Sequence, residues 1–154
     1  FIQQIRLLEE QLEELDKFIE EKFSSFDNQL TSIIGVGPTL AASFLAEIGD
    51  VNRFDSPEKL AAFAGIDPSV KQSGEFNGTR CKMSKRGSPY LRRTFWLAAI
   101  SSIRFNPALR AVYDKKRTQG KAHAVAVSVV MRKLCNIIFA ILKTNTPYKI
   151  ILPD

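Results

Sequence analysis

The chain has 154 residues, 45% hydrophobic and 25% charged, a globular composition long enough to bury one core. Its net charge of +6 is unevenly spread: residues 1–78 hold 6 Lys/Arg against 14 Asp/Glu, whereas residues 79–154 hold 16 against 2. So basic a second half points to a polyanionic partner, and a single histidine, His123, cannot by itself build a histidine metal site or a triad.

The first 28 residues read as one helix. Apolar side chains recur at Ile5, Leu8, Leu12, Leu15, Ile19, Phe23 and Phe26 in steps of three and four, a heptad stripe over about three repeats. Glu9, Glu13, Lys17 and Glu20 are among the charges on the other faces, so this helix is expected to pair with a helix of a partner or of its own domain. The chain opens at Phe1 with no signal peptide and reads as a fragment of something longer. In LTSIIGVGPTLAASFLAEIGD the pattern predicts a short helix ending at Ile34, a tight turn at Gly35-Val36-Gly37, and a helix opened by Pro38 and closed by Gly49. The spacing from Ile34 to Ala41 resembles a helix-hairpin-helix, in which glycines bring backbone close to a DNA phosphate and amides at the helix start bind it. The same residues suit a plain packing corner.

Ser56 as N-cap, Pro57 at the first helical position and Gly65 as terminator frame a third helix. From Ser69 to Arg86 helical periodicity is lost. Short alternating pieces, Ser69–Gln72 and Glu75–Phe76, flank Ser73-Gly74 and Asn77-Gly78, and Asn-Gly is a hairpin signal, so an irregular loop or small hairpin is expected around Ser73. Gly87-Ser88-Pro89 then opens a helix running to Arg104, Asn106-Pro107 opens one to Thr118, and Gly120 precedes a long helix from Ala122 to Lys143. That last helix is apolar nearly all round and is expected to run through the core. No run of about twenty apolar residues is found, so no membrane span is expected. The tail YKIILPD reads as a docked end or a continuation. The fold class is therefore mainly α, a multi-helix domain over residues 29–154 behind a coiled-coil helix over residues 1–28.

Chemistry is sparse outside one segment. Asp50, Asp55 and Asp67 fall in turns and caps, where aspartate is common for local reasons, and no carboxylates cluster as in a two-metal nuclease. Cys81 and Cys135 lie far apart without metal-ligand spacing, which fits a reduced, cytoplasmic protein. His123 near the start of the last helix suits a capping or surface role. Ser73 differs, because Lys71, Arg80, Lys82, Lys85, Arg86, Arg92 and Arg93 lie around or soon after it. Such cations suit a scissile phosphate and the charge that develops on it. A serine attacking a phosphodiester gives a phosphoserine-linked DNA intermediate that conserves bond energy for rejoining. Ser-Gly in a basic loop is also ordinary turn chemistry, and no general base beside Ser73 is identifiable from spacing.

Three segments carry a more specific signal: IIGVGPTLAASFLAEIGDVNRFDSPEKLAAFAGIDPSVKQSG, KMSKRGSPYLRRTFWLAA and NPALRAVYDKKRTQGKAHAVAVSVVMRKL. In this order and spacing, from Ile33 to Tyr148, the chain resembles the C-terminal transposase domain of insertion-sequence-110-type elements, relatives of the Piv and MooV DNA invertases. The resemblance implies that Ser73, in the Gln-Ser-Gly motif, is the strand-transfer nucleophile. It implies that a preceding RuvC-like domain, joined through the coiled coil, holds magnesium on an Asp-Glu-Asp-Asp set, and that this chain alone has no cofactor. It further implies DNA ends and target as partners, a structured bridge RNA as guide, a homo-oligomer and a nucleoid-associated location. Gly35, Gly37, Lys71, Arg80, Lys82, Lys85, Arg86, Arg92 and Arg93 are the candidate nucleic-acid contacts, with at least one arginine expected to be surface charge only. The competing reading is a helix-hairpin-helix DNA-binding and dimerisation module without enzymatic activity.

Overall fold

The computed structural model of the chain describes residues 1–68, 72–73, 76–77 and 82–150, the four strand residues by their backbone pairing. Among the described residues six α-helices carry the fold: α1 (Ile2–Ser24), α2 (Pro38–Ile48), α3 (Pro57–Ala64), α4 (Pro89–Phe105), α5 (Pro107–Thr118) and α6 (His123–Thr144). The fold is mainly α, as the sequence implies. Two short strands, β1 (Gln72–Ser73) and β2 (Phe76–Asn77), pair antiparallel between α3 and α4. Proline opens α2, α3, α4 and α5, where its missing N–H costs nothing and its fixed φ suits the first turn. Ser88 caps α4 by accepting from the Leu91 amide, and the buried Asn106 caps α5 by accepting from the Ala108 and Leu109 amides. Ser56 stands at the N-cap of α3 without bonding a helix amide. Its hydroxyl serves the Glu58 carboxylate instead, and that bond, then the Glu58 amide and the Arg132 charge, hold Glu58 below its ordinary pKa.

The core lies around α6, whose buried face runs from Ala126 to Ile141 and packs on α3, α4 and α5. By length and composition α6 is long and apolar enough to cross a membrane, but Arg132 and Lys133 interrupt it and its apolar face is the centre of this core. Burial of Phe95, Leu134 and Ile138, each fully covered, stabilises by roughly 1.5–3 kcal/mol apiece. Phe44 of α2 meets Phe95 of α4 with ring centroids 4.8 Å apart at 60°, a favourable tilted contact. The tail docks through Tyr148, whose amide donates to Ser32 Oγ at 2.7 Å.

Buried Cys135 donates its thiol to the Pro57 carbonyl, and burial pushes its pKa from about 9 up to about 12. The folded state then holds the proton more tightly than the unfolded chain. The stability this contributes is complete below about pH 9 and is lost as pH rises toward 12. Urea unfolding at rising pH is expected to show a decline that Cys135→Val reduces, and iodoacetamide at pH 8 is expected to leave Cys135 of the native protein unmodified.

Two elements differ from the sequence expectation. The helix expected to end at Ile34 is a 3-10 turn at Leu30–Ser32, because the Asn28 side chain accepts from the Leu30 amide and Ser32 Oγ donates back to the Gln29 carbonyl. Helix α1 stops at Ser24, where Ser24 and Ser25 hydroxyls turn onto the Glu21 and Lys22 carbonyls. Its heptad stripe divides: Ile19 and Phe23 line a hollow shared with Ala42 and Leu45 of α2, whereas Ile5, Leu8, Leu12, Leu15 and Phe26 stay more than half exposed.

Candidate active site and nucleic-acid interface

Ser73 lies on an excursion of the chain between α3 and α4. Its base is closed by backbone pairing. Pro68 bridges Met83, the Ser84 amide donates to the Asp67 carbonyl at 2.8 Å, the Lys85 amide to the Gly65 carbonyl at 3.1 Å, and the Ser88 amide to the Phe63 carbonyl at 2.7 Å. The Ser84 hydroxyl also donates to the Asp67 carboxylate. Outgoing and returning backbones touch at two glycines. A Cβ on Gly65 would sit 2.7 Å from the Gly87 nitrogen, and one on Gly87 would sit 1.9 Å from the Phe63 oxygen. Farther out, Ser73 pairs with Phe76 and Gln72 with Asn77. The small hairpin is therefore present, and it closes around the Ser73–Phe76 pair, ahead of the Asn77-Gly78 step that signalled it. By spacing Asp67 is one of several turn and cap aspartates, and only the folded chain shows that it latches to Ser84 across the excursion.

The candidate cations distribute unequally about this base. Lys71 and Arg80 lie outside the described residues. Lys82 and Lys85 stand with Arg132 and Lys133 of α6 around a groove of about 960 Å³. Its floor is apolar, made by Ile66, Met83, Val125 and Val129 among others. Arg132 reaches Glu58 at 3.5 Å, and its Nη1 is buried without a partner among the described residues. Lys85 holds a φ of +54°, an uncommon left-handed conformation for a residue with a side chain and a sign of a constrained position. Arg86 and Arg93 are exposed. Arg92 is half-buried and turns Nη1 toward the Ala64 and Gly87 carbonyls, at 3.3 and 3.5 Å, so it ties the end of α3 to the start of α4. Arg132 and Lys133 escape sequence reading because they look like interruptions of a core helix.

The Gly35–Gly37 turn lies elsewhere. Gly35 packs on Ser102, fourteen residues along α4 from Ser88, or about 21 Å of helix from the base of the excursion. The two glycines have different duties. Gly35 has φ +96°, a Cβ there would lie 2.7 Å from Ser102 backbone, and Ser102 Oγ donates to the Ile34 carbonyl beside it. Gly37 is exposed with open space at its Cβ position and stands at the N-cap of α2, leaving the Thr39 and Leu40 amides at a helix start without a side-chain cap. Asp16 of α1 already approaches that start, accepting from Thr39 Oγ1 at 3.5 Å. Gly35→Ala is expected to cost at least about 2 kcal/mol in urea unfolding through strain and overlap, and Gly37→Ala less than about 1 kcal/mol.

The sequence that forms the glycine turn and the serine-bearing excursion matches a known family. The model of the transposase IS116/IS110/IS902 family matches residues 27–114, from before the glycine turn to the end of the Tyr113-Asp114 turn of α5. The chain belongs to this transposase family. It is 35% identical over 148 residues to the insertion element IS900 uncharacterized 42 kDa protein of Mycobacterium paratuberculosis, covering 94% of this chain and 37% of the relative. It is 34% identical over 125 residues to the insertion element IS110 uncharacterized 43.6 kDa protein of Streptomyces coelicolor, covering 80% and 30%. It is 30% identical over 120 residues to the pilin gene-inverting protein of Moraxella bovis, covering 77% and 37%. The chain thus spans about a third of the length of these relatives.

Proposed function

We propose that this chain is the serine-bearing, DNA-binding part of a transposase or recombinase that cuts and rejoins DNA during movement of an insertion element. The observation that carries the reading is the pinned excursion that bears Ser73, with Lys82, Lys85 and Arg86 at its base. Family membership supports it. In the reaction, Ser73 Oγ forms a bond to phosphorus as the bond from phosphorus to the leaving deoxyribose oxygen breaks. The serine proton passes to a base, and the leaving oxygen gains one. The phosphoserine ester keeps the phosphoryl group activated, so the reverse attack by a new strand end rejoins DNA without an outside energy source.

Among the described residues no three His, Cys, Asp or Glu side chains converge to hold a metal ion. In this reading magnesium belongs to an acidic set in a RuvC-like domain carried outside this chain. A guide RNA and assembly of copies through α1 are further parts of the proposal, the latter supported by the exposed Ile5-Leu8-Leu12-Leu15 stripe. Gly37 and the α2 start supply a backbone phosphate contact in the same reading, while Gly35 keeps the turn in place. The test is to trap the covalent intermediate on nicked suicide DNA with the full-length protein.

A further inference from the structure

We propose that the corner between α5 and α6 is a second phosphodiester-binding site, built from Lys116, Arg117 and Lys121 on a platform of Tyr113, His123 and Trp96. This rests on the reading of the chain as a nucleic-acid-binding protein and adds residues that lie apart from Ser73 and its neighbours.

The platform is fixed by packing. Tyr113 Oη and His123 Nδ1 share a hydrogen bond of 2.8 Å, and the Tyr113 and Trp96 rings stand edge-on to His123 with centroids 5.7 and 6.4 Å away. Trp96 and Tyr113 are half-buried against the core, so the corner is anchored to α4 and α5 together. The cations follow Tyr113 at the end of α5 and in the link to α6, gathered by two backbone bonds and one from a side chain. The Gly120 amide donates to the Arg117 carbonyl at 2.9 Å with φ +74°, the Lys121 amide to the Lys116 carbonyl at 3.1 Å, and Arg117 Nη1 to the Lys121 carbonyl at 2.7 Å. The link between the helices thus folds back and holds Lys121 over the last turn of α5.

Among the described residues no carboxylate forms an ion pair with Lys116, Arg117 or Lys121. From residue 107 to 150 Asp114 is the sole acid, and Arg110 holds both its oxygens at 2.9–3.0 Å. Lys116 donates to the neutral side-chain amide oxygen of Gln119 at 3.2 Å. Helix α6 opens at Ala122 without a side-chain cap, which adds the positive end of a long helix. The negative end of α5 favours Lys116 and Arg117 in its last turn, and a phosphate backbone relieves the repulsion that remains among the three cations.

The ligand class is the phosphodiester backbone, of DNA or of RNA. The experiment titrates the 154-residue chain with a labelled 30-base-pair DNA duplex and with an RNA hairpin, reading anisotropy from 50 to 200 mM salt together with emission of Trp96, the single tryptophan. In Lys116→Gln/Lys121→Gln the slope of log affinity against log salt on DNA is expected to fall by about 2, so wild-type affinity drops roughly tenfold more than the variant's across that range. Binding changes Trp96 emission in the wild type and in Lys82→Gln/Lys85→Gln, but not in the corner variant. The arm that loses the slope, DNA or RNA, identifies whose backbone the corner holds. Equal slopes for wild type and corner variant on both probes overturn the inference and leave the proposed function standing. No salt-sensitive binding by the wild type to either probe removes both.

Discussion

Replacing Ser73 with alanine in the full-length protein is expected to abolish the protein–DNA adduct on nicked suicide DNA and to lower strand transfer by at least about 10⁴-fold, the scale of losing a nucleophile. A substitution on a two-residue strand removes only an oxygen, so the hairpin register of Gln72 with Asn77 and Ser73 with Phe76 has no reason to change. DNA affinity is expected to stay within about twofold, because phosphate charge is met by cations and backbone amides rather than by a neutral hydroxyl. That split, chemistry lost and binding kept, separates a nucleophile from a residue that merely shapes the loop. The measurement is a denaturing gel of both proteins with magnesium and, where one is required, the guide RNA. An adduct in wild type that vanishes in the variant establishes Ser73 as the attacking group. Equal cleavage by both proteins without an adduct assigns the chemistry to another part of the protein and leaves this chain as its DNA-binding arm.

Legibility from sequence followed the range of the interactions concerned. Pro57, Pro89 and Pro107 announce helix starts through local backbone geometry alone, and α3, α4 and α5 begin at those residues. Asn106 is equally local, since its side chain bonds amides two and three residues ahead. Gly35 shows the limit. Its place in a turn is readable, but the reason no other residue fits there is Ser102, which α4 brings up from 67 positions away. Arg92 is similar: sequence marks it as a cation, and only tertiary structure turns its guanidinium onto the Ala64 and Gly87 carbonyls. The hairpin was signalled by Asn77-Gly78 and closes nearer Ser73, because pairing across the excursion sets the register and a two-residue propensity does not. At the α5–α6 corner the charges are plain in KKRTQGK, yet their convergence depends on the folded-back link and on Trp96 from α4.

The base of the Ser73 excursion is where a single methyl group should do most harm. In Gly87→Ala the new Cβ would lie 1.9 Å from the Phe63 oxygen, 2.5 Å from its carbonyl carbon and 2.6 Å from the Gly65 nitrogen. All three atoms are backbone, so no rotamer change relieves the overlap. Relief requires α3 and the start of α4 to separate, and that pulls on the bond from the Ser88 amide to Phe63 and on the bond from the Lys85 amide to Gly65. A loss of at least about 3 kcal/mol is expected, or a Tm drop of roughly 6–12 °C in a domain of this size. Gly120→Ala is the matched control: φ there is +74°, but its Cβ position is open, so only the backbone cost of about 1 kcal/mol applies. A Tm for Gly87→Ala within about 2 °C of wild type would show that the two backbones do not meet as described. In the full-length protein Gly87→Ala should also suppress the Ser73 adduct at temperatures where the helices remain folded by circular dichroism. The helices draw their stability from the α6 core, whereas the excursion that carries Ser73 is closed at the Phe63, Gly65 and Gly87 contact.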